Sequence, residues 1–171
     1  VKKFSKIIQQ RYELKVLNFK SRKEIIPYVD KMFELLNVTY SNLQTYVTIK
    51  QYQIDFYKEK FIKYIHPDFI KCCLDKDDNL IAFLITMPSF SRALKKINGK
   101  MGLMGYLRLF KAQHFNDRVS LYLIGVDPKY QSKGVTAVIF NELQNTFNKR
   151  GIVEVETCLL YTSDAADESS S

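Results

Sequence analysis

Cysteine and histidine, the residues that build disulfide frameworks and metal sites, are scarce in this sequence. The chain has 3 cysteines and 2 histidines among its 171 residues. Cys72 and Cys73 are adjacent, so on a strand their side chains would point to opposite faces, and we expect buried thiols rather than a disulfide framework. Neither histidine stands at a ligand-like spacing from a cysteine, so the sequence predicts no metal site.

Long hydrophobic runs are also missing. No apolar run approaches the length that crosses a membrane, and the charged start Val1-Lys2-Lys3 lacks the hydrophobic region of a signal peptide. We therefore expect no membrane span and a cytoplasmic location. With 171 residues and 46% hydrophobic composition, the chain is long enough to bury one ordinary core, and one domain is expected.

Basic residues outnumber acidic ones, with 26 against 18 and a formal net charge of +8. Such a balance fits a nucleic-acid partner, an anionic cofactor or simply a solvated surface. The basic residues are scattered along the chain and form no recognisable binding motif. No nucleic-acid partner is therefore predicted, and a basic nucleic-acid-binding module stays the minor alternative. The sequence does not indicate an oligomeric state.

The first half of the chain alternates between strand-like and helix-like periods. Ser21 followed by Glu24 has the form of a capping box and predicts a helix start, and Thr48 with Gln51 predicts a second one. Pro27 lies inside the first of these helices, so a kink or a later start is expected there. The predicted elements are a strand at 14–19, a helix from 21 to 36, a loop at 37–47, a helix from 48 to 65, and a hairpin of strands 69–74 and 80–86.

The second half contains a strand followed by an amphipathic helix. Val119–Val126 is an apolar, β-branched run of strand length, and Asp127-Pro128 ends it because proline lacks the N–H that a ladder needs. Apolar residues then recur at helical spacing from Val135 onward, and the helix closes at Gly151. The predicted order is completed by an inserted short helix at 88–99 and a second short helix or an apolar lid at 102–112, both before the strand, and by a fifth strand at 152–157.

A strand, a turn containing glycine and a helix start follow one another in the segment DRVSLYLIGVDPKYQSKGVT, residues 117–136. Helix N-termini carry free backbone N–H groups and the positive end of the helix dipole, so they bind anions. The segment therefore predicts an anion site at Gln131–Thr136, with Lys129 and Lys133 able to add charge at its rim. The alternative is a plain strand-turn-helix connection in which both lysines are solvated turn residues.

The same segment resembles the acyl-coenzyme A (acyl-CoA) binding signature of GNAT-type acyltransferases, Q/R-x-x-G-x-G/A. Gln131, Gly134 and Thr136 occupy its positions, with threonine where the family more often has glycine or alanine. From about Leu14 to Thr157 the chain is similar to a bacterial branch of that family, through the phrases FELLN, IHPD, MPS and LYLI. The resemblance implies an α/β (α+β) fold: a mixed, mostly antiparallel twisted sheet flanked by helices, with a helical insertion between strands 3 and 4 and the last strands missing.

The resemblance also implies a chemistry, the direct transfer of an acyl group from acetyl-CoA or another acyl-CoA to an amine of a small-molecule or amino-acid-like acceptor. Pantetheine would lie along the fourth strand, and the diphosphate would bind to the turn and the helix start. A non-catalytic acyl-CoA-binding or structural domain is the alternative. The cofactor-binding residues so implied are Leu123, Ile124, Gly125, Val126, Gln131, Ser132, Lys133, Gly134, Val135 and Thr136.

Residues for the chemical step are less clearly indicated. In many members of the family the general acid is a tyrosine after the fifth strand, and we expect this chain to end before that position. Glu156 is a candidate base, with a paired strand carboxylate as the alternative. Tyr46, Tyr122 and Tyr130 are aromatic candidates with packing as the alternative, and His114 is expected to be solvated.

Ser89, Ser91 and Arg92 begin the inserted helix and are candidates for binding an acceptor carboxylate, with helix capping as the alternative. Residues 158–171, CLLYTSDAADESSS, resemble translated sequencing-adapter read-through, and a genuine flexible acidic tail is the alternative. The expected organisation is an N-terminal extension at 1–12, a GNAT-like acyltransferase domain at 13–157 that is incomplete at its C-terminus, and a non-native or disordered tail at 158–171.

Overall fold

The computed structural model describes residues 2–60, 65–88 and 118–157. Its elements are α1 (Lys2–Arg11), β1 (Lys15–Asn18), α2 (Arg22–Tyr40), α3 (Gln51–Lys60), β2 (Ile70–Leu74), β3 (Leu80–Pro88), β4 (Arg118–Val126), α4 (Val135–Arg150) and β5 (Glu154–Thr157). A 3-10 turn, Pro67–Phe69, leads into β2, and a second one, Gln131–Lys133, leads into α4. The helices predicted between β3 and β4 and the tail at 158–171 lie outside the described residues.

The strands of the described ranges form one sheet in the order β1-β2-β3-β4-β5. Neighbours from β1 to β4 pair antiparallel, and β5 runs parallel to β4. The hairpin between β2 and β3 closes at Asp75, whose Oδ1 accepts from the N–H of Asp77 at 2.9 Å and of Asn79 at 3.0 Å. Such side-chain-to-backbone bonds are the reason that aspartate and asparagine favour tight reversals. The predicted class, a mixed and mostly antiparallel sheet flanked by helices, is confirmed.

Helices cover both faces of this sheet. α2 buries Val29 and Met32 against one face, and α4 buries Val138 and Leu143 against the other. Successive strand residues point to opposite faces, so the central strand β3 supplies both cores and is buried without a break from Ile81 to Thr86. The sheet is therefore covered on both sides where β3 crosses it.

α1 packs on the α4 side of the sheet. Ile8 is 6% exposed and belongs to the same buried cluster as Val135 and Val138 at the start of α4. The segment expected as an N-terminal extension thus contributes a side chain to the core that positions the last helix.

The start of α2 differs in detail from the prediction. The helix begins at Arg22, directly after Ser21, so the later start expected because of Pro27 is wrong and the proline lies inside the helix. Glu24 does not close the predicted capping box: its Oε2 accepts from the N–H of Lys20, the residue before the N-cap, at 3.0 Å, and its Oε1 accepts from the hydroxyl of Ser21 at 3.3 Å. The Ser21 hydroxyl makes no capping bond to the backbone of the helix.

The end of α2 lies later than predicted. The helix continues to Tyr40, so the prediction of a loop over 37–47 is wrong for 37–40. Asn37 fastens the following loop from within the helix: its Oδ1 accepts from the N–H of Ile49 at 2.9 Å, and its Nδ2 donates to the C=O of Ile49 at 3.0 Å. Asn37 is predicted as a loop residue, but it lies in α2 and holds the loop that follows the helix.

The same anchor moves the start of α3. A capping box at Thr48 and Gln51 is predicted, but the bond observed is from the N–H of Lys50 to Oε1 of Gln53, at 2.9 Å. Both backbone groups of Ile49 are bonded to Asn37, so Thr48 is separated from the helix start by a fixed residue. The predicted box is thus wrong in position, since the contact with α2 outweighs the local signal.

Cys72 and Cys73 lie on β2, are 0% exposed and are free thiols, as predicted. Burial raises the pKa of Cys73 to about 12 and also raises the pKa of Cys72, so both stay protonated and unreactive. In the described ranges no cluster of histidine, cysteine and acidic side chains could hold a metal ion. None of the helices described there has the length and apolar character to cross a membrane.

Candidate functional site

β4 ends at a tight turn at one end of the sheet. The N–H of Asp127 donates to the C=O of Ile81 on β3 at 2.8 Å, which is the last bond of that ladder. The side chain of Asp127 then accepts from the N–H of Lys129 at 2.8 Å, and its C=O accepts from the N–H of Tyr130 at 2.8 Å. One aspartate therefore folds the chain back toward α4, at the position where the sequence predicts the strand to stop.

Two backbone N–H groups in this turn make no bond within the described residues. The N–H groups of Gln131 and Ser132 meet no acceptor there, whereas the N–H of Lys133 donates to the C=O of Tyr130 at 3.0 Å, and the N–H of Gly134 points to the C=O of Gln131 in the pattern of the 3-10 turn. α4 starts without a side-chain cap. Free donors and the positive end of the helix dipole thus meet at one place, which is the arrangement that binds phosphate groups.

Gly134 holds the turn and the helix start together. Its φ is +75°, in the left-handed region that side chains disfavour. A Cβ placed there would lie 2.5 Å from Cδ1 of Ile8 on α1, which is closer than real Cβ contacts. The backbone conformation therefore favours glycine at this position of the motif, and a larger residue would also have to displace the tip of the Ile8 side chain.

The side chains of Lys133 and Gln131 both contact other parts of the protein. Nζ of Lys133 lies over the ring of Tyr130 at 4.5 Å and over the ring of Tyr12 at 5.4 Å. Such cation–π contacts hold the ammonium against the two rings. Nε2 of Gln131 donates to the C=O of Val126 at 3.1 Å, so this side chain ties the turn back to the strand. The site is built mainly from backbone donors.

At its C-terminal end, β4 pairs with β3 along one edge, and its other edge, the free edge, pairs with no described strand. The bond from Asp127 to Ile81 and the register of the ladder place the backbone groups of Leu123 and Gly125 toward β3. The N–H and C=O groups of Ile124 and Val126 point the other way. Of the four strand residues predicted to bind pantetheine, these two are therefore the ones whose backbone groups face away from β3.

Side chains from the end of α2 occupy much of this edge. The hydroxyl of Tyr40 donates to the C=O of Ile124 at 3.0 Å, and Oγ1 of Thr39 accepts from the N–H of Val126 at 3.1 Å. The hydroxyl of Thr39 has a single proton, and the C=O of Leu35 at 2.7 Å is closer to it than the C=O of Val126 at 3.2 Å. The stronger bond between Thr39 and β4 is therefore the one that its Oγ1 accepts. Burial raises the pKa of Tyr40, which keeps its hydroxyl a donor. Sequence reasoning missed both residues.

The pairing of β4 changes where this edge begins. β5 pairs with Arg118–Leu121, and the described pairs end at Leu121 with Thr157. The register with β3 shifts between Ile85 and Thr86, so Tyr122 is an extra residue in the ladder. A bulge of this kind redirects the strand and its side chains, and bulges are enriched next to active sites.

A cavity of about 450 Å³ lies beside the bulge, on the α2 side of the sheet. Tyr122 and Leu123 of β4 form part of its wall, together with apolar side chains of α2 and β3. Phe83 is one of them, and its ring lies over Gly125, where an added Cβ would come within 2.4 Å of Cε1. Gly125 is thus a position where a close approach requires glycine.

Glu156 lies at the opposite end of the paired region from the turn. Its Oε1 is 3.5 Å from Nη1 of Arg118, and its Oε2 accepts from the hydroxyl of Ser120 at 3.3 Å. Ser120 pairs with Glu156 in the register, four residues before Ile124, which corresponds to about 13 Å along a strand. These contacts favour the alternative interpretation, a paired strand carboxylate, over a general base.

The aromatic candidates lie in different surroundings. Tyr46 donates to Oδ1 of Asn37 at 2.7 Å, and burial raises its pKa, as does the nearby Tyr40. Tyr130 packs under Lys133, whereas Tyr122 is 56% exposed at the bulge. The candidates Ser89, Ser91, Arg92 and His114 lie outside the described residues.

The sheet ends in a turn directly before a helix N-terminus, which is a place where proteins often bind anions. The model of the acetyltransferase (GNAT) family matches residues 29–166, and the chain therefore belongs to this family of transferases, whose co-substrate is acetyl-CoA. A search of curated protein sequences finds no match to the chain.

Solved structures of N-acetyltransferases share the fold at low sequence identity. An aminoglycoside acetyltransferase, meta-AAC0020, from an uncultured soil metagenomic sample and in complex with sisomicin is 11% identical, with a TM-score of 0.55 over 91% of this chain and 83% of that one. PaiA N-acetyltransferase from Thermoplasma acidophilum, in complex with coenzyme A, is 14% identical, with a TM-score of 0.50 over 84% and 77%. The ribosomal-protein-S18-alanine N-acetyltransferase from Escherichia coli is 14% identical, with a TM-score of 0.50 over 90% and 71%.

Proposed function

We propose that this chain binds an acyl-CoA across the end of β4 and transfers the acyl group to an amine of a small molecule. The observation that carries the proposal is the pair of open N–H groups at Gln131 and Ser132, shortly before a 16-residue helix that starts without a side-chain cap. Several donors and a helix dipole converge there, and hydrogen bonds to an anion are stronger than those between neutral groups. The diphosphate of the cofactor is the group that this geometry fits.

The pantetheine arm would follow the free edge of β4 from the turn toward the bulge. Its amides would replace the bonds that Thr39 and Tyr40 now make with Val126 and Ile124. This exchange conserves the number of hydrogen bonds on the strand, so its net cost is small. The thioester would then lie near Tyr122, where the described pairing of β4 with β5 has ended and the ladder with β3 has its bulge.

The reaction at that point is an aminolysis. The amine nitrogen forms a bond to the thioester carbonyl carbon, the bond from that carbon to sulfur breaks, the nitrogen loses a proton, and the thiolate gains one. The Thr39 and Tyr40 hydroxyls are polar groups next to this edge, and the acid and base themselves are not assigned. Acetyl is the acyl group that the family indicates, and a longer acyl group is argued separately below.

The acceptor is proposed to be a small-molecule amine, in keeping with the aminoglycoside acetyltransferase that shares the fold and binds sisomicin. An acceptor of amino-acid type stays a prediction, because Ser89, Ser91 and Arg92, on which it rests, lie outside the described residues. The cytoplasmic location also stays a prediction. The second candidate function, acyl-CoA binding without transfer, is favoured by the ion pair that occupies Glu156.

Calorimetric titration with CoA and acetyl-CoA, followed by a thiol-release assay with a panel of amines, tests the proposal. We expect CoA to bind with a dissociation constant in the micromolar range and thiol release to require an added amine. Binding without release under any amine supports the second candidate. Absence of binding to both CoA and acetyl-CoA by a cooperatively folded chain would contradict both.

A further inference from the structure

The cavity beside the bulge has a chemical character that the transfer reaction itself does not demand. We propose that it binds a hydrocarbon group carried by one of the two substrates, either an acyl chain longer than acetyl or the apolar part of the amine. The inference rests on the proposed function, and it names the class of substrate. Its basis is the lining of the cavity, the position of its wall and its size.

The lining is apolar on every side that the structure describes. α2 contributes Val29, Met32, Phe33 and Leu36, and no charged residue is among the described residues of the wall. The ring of Tyr57 on α3 is stacked on that of Phe33, with centroids 5.7 Å apart and planes 13° apart, which adds flat aromatic surface. An amide or ammonium group in this space would lose its hydration without a charged partner. A polycationic acceptor is therefore a poor occupant.

The wall of the cavity reaches the reacting end of the proposed cofactor path. Tyr122 and Leu123 line the cavity, and Ile124 carries the first carbonyl of the free edge. Tyr122 precedes Ile124 by two residues, which corresponds to about 7 Å along a strand. A thioester placed along this edge thus has its carbonyl carbon next to the cavity wall. Both the acyl group and the attacking amine can reach the cavity from there.

The size of the cavity exceeds what an acetyl group uses. A volume of about 450 Å³ lies within the range of sites that enclose drug-sized ligands. A packed core does not keep so much space open, because interiors are close-packed and voids larger than a water molecule are few. Filling the space with a hydrocarbon is favourable, by a factor of about fourfold in affinity for each methylene that is fully buried.

The test is a pair of titration series on the full chain. One series uses acyl-CoA thioesters from acetyl to dodecanoyl, with free CoA as the reference, and the other measures KM for straight-chain primary amines of increasing length. We expect one of the two series to gain affinity by about threefold to fourfold per methylene and then to level off. A gain only with the thioester assigns the cavity to the acyl chain, and a gain only with the amine assigns it to the acceptor.

Two variants test whether the gain in affinity with chain length comes from the cavity. Val29→Phe fills the space, so we expect it to abolish the dependence on chain length while free CoA binds as before. Met32→Ala enlarges the space, and we expect the optimum to move to longer chains. Ile26→Phe, a matched apolar enlargement at a position of α2 that is 53% exposed, should leave both series unchanged.

Two results would overturn the inference and leave the proposed function intact: CoA binding with no dependence on chain length in either series, or a preference for polycationic amines over alkylamines. An unchanged chain-length profile in a folded Met32→Ala variant would likewise contradict it, even where Val29→Phe does not fold. Failure of free CoA to bind would remove the proposed function, and the inference with it.

Discussion

The turn after β4 and the free edge of β4 are neighbours in the chain and in space, but they differ in whether their backbone groups are hydrogen-bonded. In the turn, the N–H groups of Gln131 and Ser132 have no acceptor in the described ranges. On the edge, the C=O of Ile124 and the N–H of Val126 are bonded to hydroxyls of α2. Without a ligand, these N–H groups of the turn are unbonded, whereas the backbone groups of the edge are already bonded to side chains.

The difference follows from the charge of the expected ligand groups. A diphosphate is anionic, and its bonds to N–H groups next to a helix dipole are strong enough to compete with water at an exposed turn. A pantetheine amide is neutral, and the Val126 backbone at the edge is buried. A buried N–H without a partner is costly, so a hydroxyl bonds to it in the free protein. We infer that the turn supplies the affinity for CoA. The pantetheine arm must displace the hydroxyls of α2 before it can bind to the edge, so α2 opposes its binding.

Replacing Gly134 by valine is expected to have the largest effect. The substitution forces a side chain into a left-handed conformation and against Ile8, so the turn that carries the open N–H groups must move. CoA affinity should fall at least about tenfold, and the free energy of unfolding by about 2 kcal/mol or more. Titration calorimetry and urea unfolding measure the two quantities.

Gly151→Val is the matched control. Gly151 has a φ of +68°, and nothing lies within 4 Å of an added Cβ, so the backbone strain is similar but the packing conflict is absent. It closes α4 at the end far from the turn. We expect a loss of about 1 kcal/mol in unfolding free energy with unchanged CoA affinity. An equal loss of affinity in both variants would show that strain alone, and not the turn, explains the first result.

Thr39→Val should have the second-largest effect, and in the opposite direction for the ligand. The variant removes the acceptor for the N–H of Val126, so the free protein should lose about 1–2 kcal/mol of stability. A bound pantetheine would satisfy that group, so CoA affinity should rise by about threefold to tenfold. Thr39→Ser keeps the hydroxyl and should behave as the parent. Weaker CoA binding by a folded Thr39→Val variant would mean that Thr39 shapes the edge rather than blocks it.

Tyr40→Phe is expected to follow with a smaller gain. The C=O of Ile124 has a second lone pair and is more easily left to water than a buried N–H, so the loss of stability should be about 0.5–1 kcal/mol. CoA affinity should rise about twofold. Tyr46→Phe, which removes a bond to Asn37 and not to β4, should lower stability without changing CoA affinity. Isothermal titrations of both variants side by side decide between the two positions.

Lys133→Met should have the smallest effect on the cofactor. The ammonium lies over the rings of Tyr130 and Tyr12, so we expect it to contribute little to a diphosphate at the turn. CoA affinity should fall less than about threefold, since exposed charges contribute weakly. A loss of tenfold or more, with a steep dependence on salt, would show that the lysine turns toward the ligand and that backbone donors are not the main source of binding.

Local signals predicted the turn and could not predict the edge. The end of β4 at Val126, the turn and the apolar face of α4 depend on residues next to one another in the chain, and each is observed where the periodicity places it. Thr39 and Tyr40 reach residues 87 and 84 positions away along the chain, respectively. The spacing of apolar residues in α2 does not indicate which strand the last turn of the helix contacts.

The errors in the α2 region have the same origin. Asn37 has the composition of a loop residue, but its side chain bonds both backbone groups of Ile49, so the helix continues past it and the start of α3 shifts. The cavity likewise arises from the spacing of α2, α3 and the bulge of β4, which no single segment encodes. The organisation into 1–12, 13–157 and 158–171 stays a prediction.

The contact between Ile8 and Gly134 connects the first helix to the cofactor turn. Cδ1 of Ile8 and Cε1 of Phe4 are the nearest atoms to the open side of Gly134, at 2.5 Å and 3.5 Å from an ideal Cβ position. A ligand that fixes the turn therefore also fixes the surface on which α1 rests. Amide protons of α1 should exchange more slowly, and trypsin should cut after Lys6 less readily, once CoA is bound.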